Sequence, residues 1–307
     1  MRDERTPDSR SRVETVTFSS PLGSWELSQC AAPADLAPLV DCFWSVRGRV
    51  SYRRETILPT DRVELMFNLG LPHRVIGSPD GGGTDFIRAW VSGLQEGPLV
   101  VEPQYDTSRY DSHLVSVRLH PQGAYALLGV PMEEIANQVV EIDADLLPGI
   151  EELRERLFGA QTLDERFGLL ARYVHRRFRA VAPALTSSVK VSWALERLRR
   201  SGGCVSIGEL CERLDITRKH LTGMFHRQVG LAPKRLARIV KFSRVVEHLK
   251  HCADVRWAEL AVDFGYYDQS HFNRDFRAFT GATPGEFLRH RSADGTSLVA
   301  GAISEPR

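Results

Sequence analysis

The chain is organised around a sequence that occurs twice, first as LTGMFHRQVGLAP (221–233) and then as FNRDFRAFTGATP (272–284). In both copies an apolar residue is followed after four residues by phenylalanine, after five more by glycine and after three more by proline. Apolar residues four apart lie on one face of a helix, glycine commonly ends a helix, and proline commonly begins the next one. The repeated spacing therefore predicts two copies of one helical unit.

The first unit has the sequence features of two short helices joined by a tight turn. Apolar residues recur at helical spacing between Ser206 and Leu214. Ser206 is a candidate N-cap, and Glu209 three residues later would complete a capping box. Thr217 can cap the second helix, which Gly230 would end. Two short helices with a basic second helix are typical of a helix-turn-helix, whose second helix enters the major groove of DNA.

The second unit follows the same plan. Its turn is predicted at residues 265–267, and Asp268 is the candidate N-cap of the helix that follows. Phe272 and Phe276 begin the apolar stripe that this helix would bury. Between the two units, residues 234–250 predict one helix that holds the units at a fixed separation.

The polar outer faces of the two second helices carry the candidate DNA contacts. Glutamine and asparagine can pair with adenine and arginine with guanine, and the N-terminal end of the helix meets the base edges. Lys219 and Thr222 are the predicted base readers of the first unit, since Gly223 has no side chain that could reach a base. Arg274 is the strongest candidate in the second unit; the alternative is a solvent-facing arginine in a surface ion pair. The full predicted set is Arg218, Lys219, His220, Thr222 and Arg227 in the first unit, and Gln269, Ser270, His271, Asn273, Arg274 and Arg277 in the second.

The second unit resembles the C-terminal signature of the AraC/XylS family of transcription regulators. The resemblance rests on residues 265–276, which read GYYDQSHFNRDF, and on Gly281 followed by Thr283-Pro284. It extends over roughly residues 189–291 and departs from the family at Gly223, where a base-reading side chain is common. One helical pair of this kind is more often ordinary core, but two copies in register are hard to reach by chance. The resemblance implies double-stranded promoter DNA and RNA polymerase as partners.

The distribution of charge agrees with a polyanionic partner for the C-terminal half alone. The net charge of the chain is only +1. Residues 187–291 hold 19 Lys and Arg against 11 Asp and Glu, a net charge of +8, and the rest of the chain holds 21 against 28, a net charge of −7. A basic domain suits nucleic acid, and the alternative is a solvated basic face.

The N-terminal half has the pattern of a small β-barrel with flanking helices. Short apolar or alternating runs between residues 40 and 120 are separated by Pro, Gly and Asp, which is typical of strands and turns. The expected fold class is α+β, with a cupin-like barrel and a C-terminal all-α domain. The predicted segments are a disordered 1–20, a sensor domain at 21–180 with its barrel at 40–120 and helices at 121–179, a linker at 181–188, the DNA-binding domain at 189–291 and a disordered tail at 292–307.

An apolar stripe in the last helix of the sensor domain has two interpretations. Phe167, Leu170, Val174 and Phe178 recur at helical spacing. The stripe would pack either on the barrel or on a second copy of the chain. The second alternative predicts a homodimer through the N-terminal domain.

Several other classes of protein are disfavoured by the sequence. No apolar run approaches the length of a membrane span, and the N-terminus lacks a signal-peptide core. Five cysteines without a CxxC pair argue against a disulfide framework and a structural zinc site, and suit a reducing cytoplasm. His73, His113 and His120 are too widely spaced for the cupin metal motif. Because nucleophile and nucleotide-binding motifs are also missing, no enzyme activity, metal or cofactor is expected.

The expected function is that of a sequence-specific transcription regulator controlled by a small-molecule effector or a partner at the N-terminal domain. Residues 58–61 and 90–94 resemble recurring stretches of one AraC-type subgroup whose ligands are mostly unknown. Two alternatives remain at the level of the sequence. One is a ligand-binding barrel or enzyme that a DNA-binding domain merely localises, and the other is a nucleoid-type binder without sequence preference.

Overall fold

A computed structural model describes residues 12–76, 83–103, 111–181, 189–250, 252 and 254–302. The predicted linker 181–188 lies, apart from its first residue, outside this part of the chain. The same holds for most of the predicted disordered N-terminus and for the last five residues.

The N-terminal half is built from two antiparallel sheets. The larger has the strand order β1-β2-β3-β10-β5-β8-β11 and the smaller the order β12-β4-β9-β6-β7. The strands are β1 Glu14–Ser20, β2 Gly23–Ala31, β3 Val40–Val50, β4 Tyr52–Ile57, β5 Val63–Asn68, β6 His73–Ile76, β7 Gly83–Phe86, β8 Ala89–Ser92, β9 Leu99–Pro103, β10 Ser112–Leu119, β11 Val139–Glu141 and β12 Ser297–Ala302.

Helices form the rest of the described chain. They cover one face of the larger sheet and make up the whole C-terminal domain. The helices are α1 Pro121–Leu128, α2 Ile150–Gly159, α3 Leu163–Val181, α4 Val189–Arg200, α5 Ile207–Leu214, α6 Arg218–Val229, α7 Pro233–Leu249, α8 Trp257–Asp263, α9 Gln269–Thr280 and α10 Pro284–His290, with a 3-10 turn at Met132–Glu134. The predicted α+β fold, with a sheet-rich N-terminal half and a helical C-terminal half, is confirmed.

The two faces of the larger sheet have different environments. Phe43 in β3 points to the helices and stacks on Phe167 of α3, with ring centroids 6.4 Å apart. Its neighbour Trp44 points the other way, into a cluster that includes Phe86 and Val75 of the smaller sheet. Because successive side chains of a strand alternate between faces, one face closes the helical core and the other lines the space between the sheets.

The apolar stripe of α3 belongs to the core of this chain. Phe167, Leu170 and Val174 are all buried, and Phe178 is half-buried against the same core. Of the two predicted interpretations, packing on the barrel is therefore the one that the structure shows for these side chains.

Two segments that were predicted to be disordered form strands. Residues 14–20 pair with β2 as a hairpin, and residues 297–302 pair with β4. The polar composition of the first segment was misleading, because an edge strand is held by backbone hydrogen bonds and can expose polar side chains on both faces. The sensor half also differs in one detail from its predicted helices at 121–179, since this range contains the strand β11.

Candidate nucleic-acid interface

The first helix-turn-helix is formed by α5 and α6, and side-chain caps define the start of each helix. The Ser206 hydroxyl accepts a hydrogen bond from the Glu209 amide at 3.0 Å, and the Thr217 hydroxyl accepts one from the His220 amide at 3.2 Å. Both predicted N-caps are confirmed. The predicted capping box is incomplete, because the Glu209 carboxylate pairs with Arg197 at 3.3 Å instead of with the Ser206 backbone.

The second helix-turn-helix is formed by α8 and α9 and begins in the predicted way. Asp268 accepts a hydrogen bond from the His271 amide at 2.7 Å, which confirms its role as N-cap of α9. Gly265 in the turn has a φ of +74°, a conformation that side chains other than glycine adopt rarely. Beyond α9, Thr283 and Glu286 form a complete capping box at the start of α10.

Helix α7 joins the two units through packing and an ion pair. Phe242 in the middle of α7 packs on Phe276 and Phe279 of α9, with ring centroids 5.5 and 4.8 Å apart. From the same helix, Arg238 donates to both carboxylate oxygens of Asp275, at 2.8 and 3.3 Å. Since Asp275 is almost fully buried, its guanidinium partner compensates a charge that would otherwise be costly.

The predicted contact residues mostly lie where a DNA groove could reach them. On α6 the exposed members are Arg218, Lys219, His220 and Arg227, and Thr222 is half-buried. On α9 the exposed members are Gln269, Ser270, Asn273, Arg274 and Arg277. His271 is the exception on α9: it is half-buried, its ring meets the Tyr266 ring edge-on, and its Nε2 lies 4.0 Å from Asp275.

The environment of Arg274 argues against a surface ion pair. Asp268 is engaged as the helix cap, and Asp275 pairs with Arg238. Among the described residues Arg274 has no acidic partner. Its guanidinium instead lines an open concavity with Asn273, Arg277 and Thr283, which together offer donors suited to phosphates or base edges.

Gly223 leaves an open position in the middle of α6. A Cβ placed on it would meet no atom within 4 Å. The exposed polar face of α6, called here its reading face, therefore has a gap at Gly223. Lys219 lies on the N-terminal side of this gap and Arg227 on its C-terminal side.

Two residues next to the second reading face were not in the predicted set. Tyr267 is 89% exposed and directly precedes the N-cap Asp268 at the start of α9. Lys241 of α7 donates to the Gly265 carbonyl at 2.7 Å and lies over the Tyr266 ring, and so fixes the turn. The adjacent tyrosines look alike in sequence, and only their opposite burial distinguishes them.

The space between the two sheets contains a polar network that the sequence did not reveal. Glu64 accepts hydrogen bonds from the indole of Trp44 at 2.9 Å, from the Ser116 hydroxyl at 2.8 Å and from Arg118 Nε at 2.6 Å. Arg118 also lies over the Trp44 ring at 6.0 Å. Met66 lies beside this network and, like Trp44, is only half-buried.

No hydrogen bond joins His73, His113 and His120 to one another in the part of the chain that the structure describes. Burial lowers the pKa of each to about 4, so all three are neutral at pH 7. His73 lies 3.4 Å from the Ser112 hydroxyl, and His113 lies 3.4 Å from the Ser45 hydroxyl. Within the described ranges no three His, Cys, Asp or Glu side chains are grouped as metal ligands. In the same ranges no helix is long and apolar enough to cross a membrane.

Comparison with known proteins assigns families to two parts of the chain. Residues 210–290 match a helix-turn-helix domain family, and residues 28–141 match a domain of unknown function (DUF6597). None of the curated proteins matches this chain significantly.

Solved structures that resemble the chain do so at low identity. A crystal structure of ToxT from Vibrio cholerae has 12% identity and a TM-score of 0.46, with 80% of this chain and 97% of that chain covered. ToxT with bound unsaturated fatty acid has 11% identity and a TM-score of 0.46, with 83% and 94% covered. An oxalate decarboxylase–formate complex from Lactobacillus farciminis has 12% identity and a TM-score of 0.26, with 39% and 35% covered.

The two domain matches coincide with the two halves of the fold. The first covers the helices α6 to α10 and part of α5, and the second covers most of the two sheets. Residues 210–290 thus match a helix-turn-helix domain family and are joined in one chain to a sheet-rich domain that matches a family of unknown function at residues 28–141.

Proposed function

We propose that this protein is a sequence-specific regulator of transcription that places its two recognition helices, α6 and α9, in successive major grooves of double-stranded DNA. One observation carries the proposal: both helices present exposed polar side chains at their N-terminal ends in a domain of net charge +8. Since α7 packs against both units, one chain presents two recognition helices connected by a single helix. Successive major grooves on one face of DNA are about 34 Å apart.

The contacts divide into two classes. Lys219 on α6 and Gln269, Asn273 and Arg274 on α9 read base edges, because these side chain types match the donor and acceptor pattern of the major groove. Arg218, Arg227 and Arg277 bind phosphates, together with the backbone amides at the helix starts. RNA polymerase is the protein partner at the promoter.

A small-molecule effector in the space between the two sheets controls the DNA-binding half. Trp44, Met66 and Arg118 on the inner face are only half-buried, whereas their sequence neighbours Phe43, Leu65 and Val117 on the helix-facing side are fully buried. The inner face thus combines an aromatic ring, an apolar side chain and a guanidinium, which is the composition of a ligand site. Filling it by Met66→Trp is expected to abolish any change in DNA binding caused by metabolite extract.

Selection from a randomised DNA pool followed by footprinting tests the main proposal. The full chain should select one consensus, protect two segments about one helical turn apart, and lose affinity steeply as salt rises. Arg274→Ala should alter the consensus in one segment. Arg200→Ala, at the end of α4 and outside both recognition helices, should leave the consensus unchanged. A pool that yields no consensus, or protection of a single groove, would contradict a tandem reader.

A further inference from the structure

The chain returns to its N-terminal domain after the second helix-turn-helix. Following α10, a tight turn is closed by the Ser292 amide, which donates to the Ser297 carbonyl at 2.8 Å. Strand β12 then runs antiparallel to β4, from Ser297 opposite Ile57 to Ala302 opposite Tyr52. The last segment of the DNA-binding half is therefore the edge strand of the smaller regulatory sheet.

The contact between β12 and β4 contains a buried side-chain cluster. The Ser297 hydroxyl donates to one carboxylate oxygen of Glu55 at 2.6 Å, and the Tyr52 hydroxyl donates to the other at 2.9 Å. Ser297 is only 1% exposed, and Tyr52 and Val299 are also buried. A strand end that merely lay on the surface would not bury a serine in this way.

Glu55 makes this contact releasable. Glu55 is half-buried, and among the described residues no lysine, arginine or histidine pairs with it. Two hydroxyl donors offset only part of the cost of removing a carboxylate from water. The contact between β12 and β4 is therefore specific in its geometry but weaker than an apolar contact of the same area.

The same segment is also fixed to the DNA-binding domain. Arg291 donates to the carbonyl of Cys252 at 3.2 Å and to the carbonyl of Leu249, at the end of α7. Gly295, with a φ of +70°, lies against Lys250, where a Cβ would come within 2.9 Å of its side chain. Strand β12 is thus joined to the C-terminal end of α7, the helix that packs on α9, and it also contacts α10.

The first unit is attached to the regulatory domain by a different set of contacts. Arg199 of α4 donates to Asp61 at 2.7 Å, and both side chains are less than one-fifth exposed. At the other end of this unit, Gly230 lies against the 3-10 turn, and a Cβ there would be 2.7 Å from the Met132 carbonyl oxygen. Arg235 pairs with Glu96 at 3.2 Å.

We propose that β12 is an intramolecular clasp that couples the second helix-turn-helix to the smaller regulatory sheet, independently of the contacts that hold the first. Opening the clasp releases α8, α9 and α10 from the smaller sheet, so that only packing on α7 holds them, while α4, α5 and α6 stay docked. Because DNA requires both recognition helices at one spacing, the clasp gives the regulatory domain a means of changing that spacing. The inference goes beyond the proposed function, since the coupling exists in the chain without DNA.

Hydrogen exchange of the full chain in the absence of DNA tests the clasp. Ser297→Ala removes one of the two donors to Glu55, and a chain that ends at Arg291 removes the strand. Both should raise exchange about tenfold or more in β4 and in α8–α10, and leave α4–α6 unchanged. The matched control is Thr296→Ala, which removes an exposed hydroxyl of the same turn that donates to Asp294 at 2.7 Å rather than to Glu55, and it should change neither region.

The opposite pattern is expected when the first attachment is broken. Asp61→Asn should raise exchange in α4–α6 and leave β4 and α8–α10 protected. Unchanged exchange in α8–α10 after loss of β12, or an equal rise in both units, would overturn the proposal. Because the measurement contains no DNA, its failure would leave the proposed regulatory function standing.

Discussion

The first helix-turn-helix buries a largely aliphatic stripe, in which Leu221 and Val229 flank Phe225, whereas the second buries a cluster of aromatic rings. Phe276 alone packs against three other rings, and one of them, Phe242, belongs to the central helix α7. The first unit instead packs against the N-terminal domain, where α6 contacts α1 and the 3-10 turn. The repeated sequence spacing therefore gives both units the same local fold. The contacts that each unit makes with the rest of the chain differ between the two.

The reading faces differ in the same direction. Helix α9 has a row of exposed polar side chains that includes Gln269, Asn273 and Arg274, and α6 is interrupted at Gly223. The unit with the independent aromatic core is thus also the unit with the denser reading face. We expect most of the sequence discrimination to come from α9.

The largest expected effect concerns the aromatic core. Phe276→Ala should lower the free energy of unfolding by about 4 kcal/mol, because the side chain is fully buried among rings. In the first unit, Leu221→Ala removes a buried aliphatic side chain and should cost about 3 kcal/mol. Urea denaturation of the full chain measures both, and Phe276→Leu is the matched control with an expected cost of about 1.5 kcal/mol. If Phe276→Ala costs no more than Phe276→Leu, the aromatic cluster does not stabilise the second unit in the way expected.

The ionic attachment of the first unit should come next in size. Asp61 lies between Arg62 and Arg199, so Asp61→Asn leaves the Arg199 guanidinium without its anionic partner, whereas Arg62 keeps its pair with Asp41 at 3.1 Å. The expected loss is about 3 kcal/mol, because all three side chains are four-fifths or more buried. Thermal unfolding of the variant measures it. Asp85→Asn, which breaks an exposed pair with Arg74, serves as the control and should leave the melting temperature unchanged.

The two attachments should respond oppositely to pH. Burial disfavours ionised Asp61, but Arg62 and Arg199 outweigh it and hold the pKa of Asp61 below its ordinary value. Its contribution is therefore present above about pH 4 and lost as the pH falls through the lowered pKa. Burial raises the pKa of Glu55, so the clasp is intact below about pH 4 and weakens as the pH rises through the raised pKa.

Hydrogen exchange against pH separates these two titrations. Two titratable groups face Glu55: the negative charge of Asp294 adds to the effect of burial and raises the pKa of Glu55, whereas the hydrogen bond from Tyr52 opposes it. Intrinsic amide exchange itself rises with pH, so the quantity to compare is the protection factor, which corrects the exchange rate for that rise. Because burial outweighs that hydrogen bond and the one from Ser297, the protection factors of β4 should fall as the pH rises in the native chain. They should become independent of pH in Glu55→Gln, and a fall that persists in this variant would assign the pH response to another group.

The base contact of α9 should have an intermediate effect on binding. Arg274→Ala should cost about 2 kcal/mol on the selected DNA site and little on random DNA, since a bidentate contact to guanine is lost. Fluorescence anisotropy on the two DNAs measures the difference. Arg277→Ala is the comparison, because loss of a phosphate contact weakens binding to both DNAs equally and reduces the salt dependence.

The smallest effect distinguishes the two positions of α6. Gly223→Ala should stabilise the domain by about 0.5–1 kcal/mol, because alanine restricts the unfolded chain and its Cβ meets no neighbour. It should leave the preferred DNA sequence nearly unchanged, whereas Lys219→Ala should relax it locally. Equal changes of preference in the two variants would mean that a different face of α6 meets the DNA.

Local features of the fold could be predicted from the sequence because their partners are close along the chain. Ser206, Thr217 and Asp268 cap helices through amides three residues away, and this geometry leaves a visible pattern. The glycines that end α6 and α9 belong to the same class. The outer faces of these helices were predicted for the same reason, since helical periodicity separates exposed from buried positions. The half-buried position of His271 was missed, because it depends on Tyr266 and Asp275 together.

Only the tertiary structure decided which distant segments meet. Ser297 and Glu55 are 242 residues apart, Arg199 and Asp61 are 138 apart, and no periodicity links either pair. The strand β12 was predicted as a disordered tail, because backbone hydrogen bonds to β4 supply its stability and leave no trace in side-chain composition. The sequence by itself therefore determined two helix-turn-helix units and their caps, and the packing of the whole chain decided how each unit is attached to the regulatory domain.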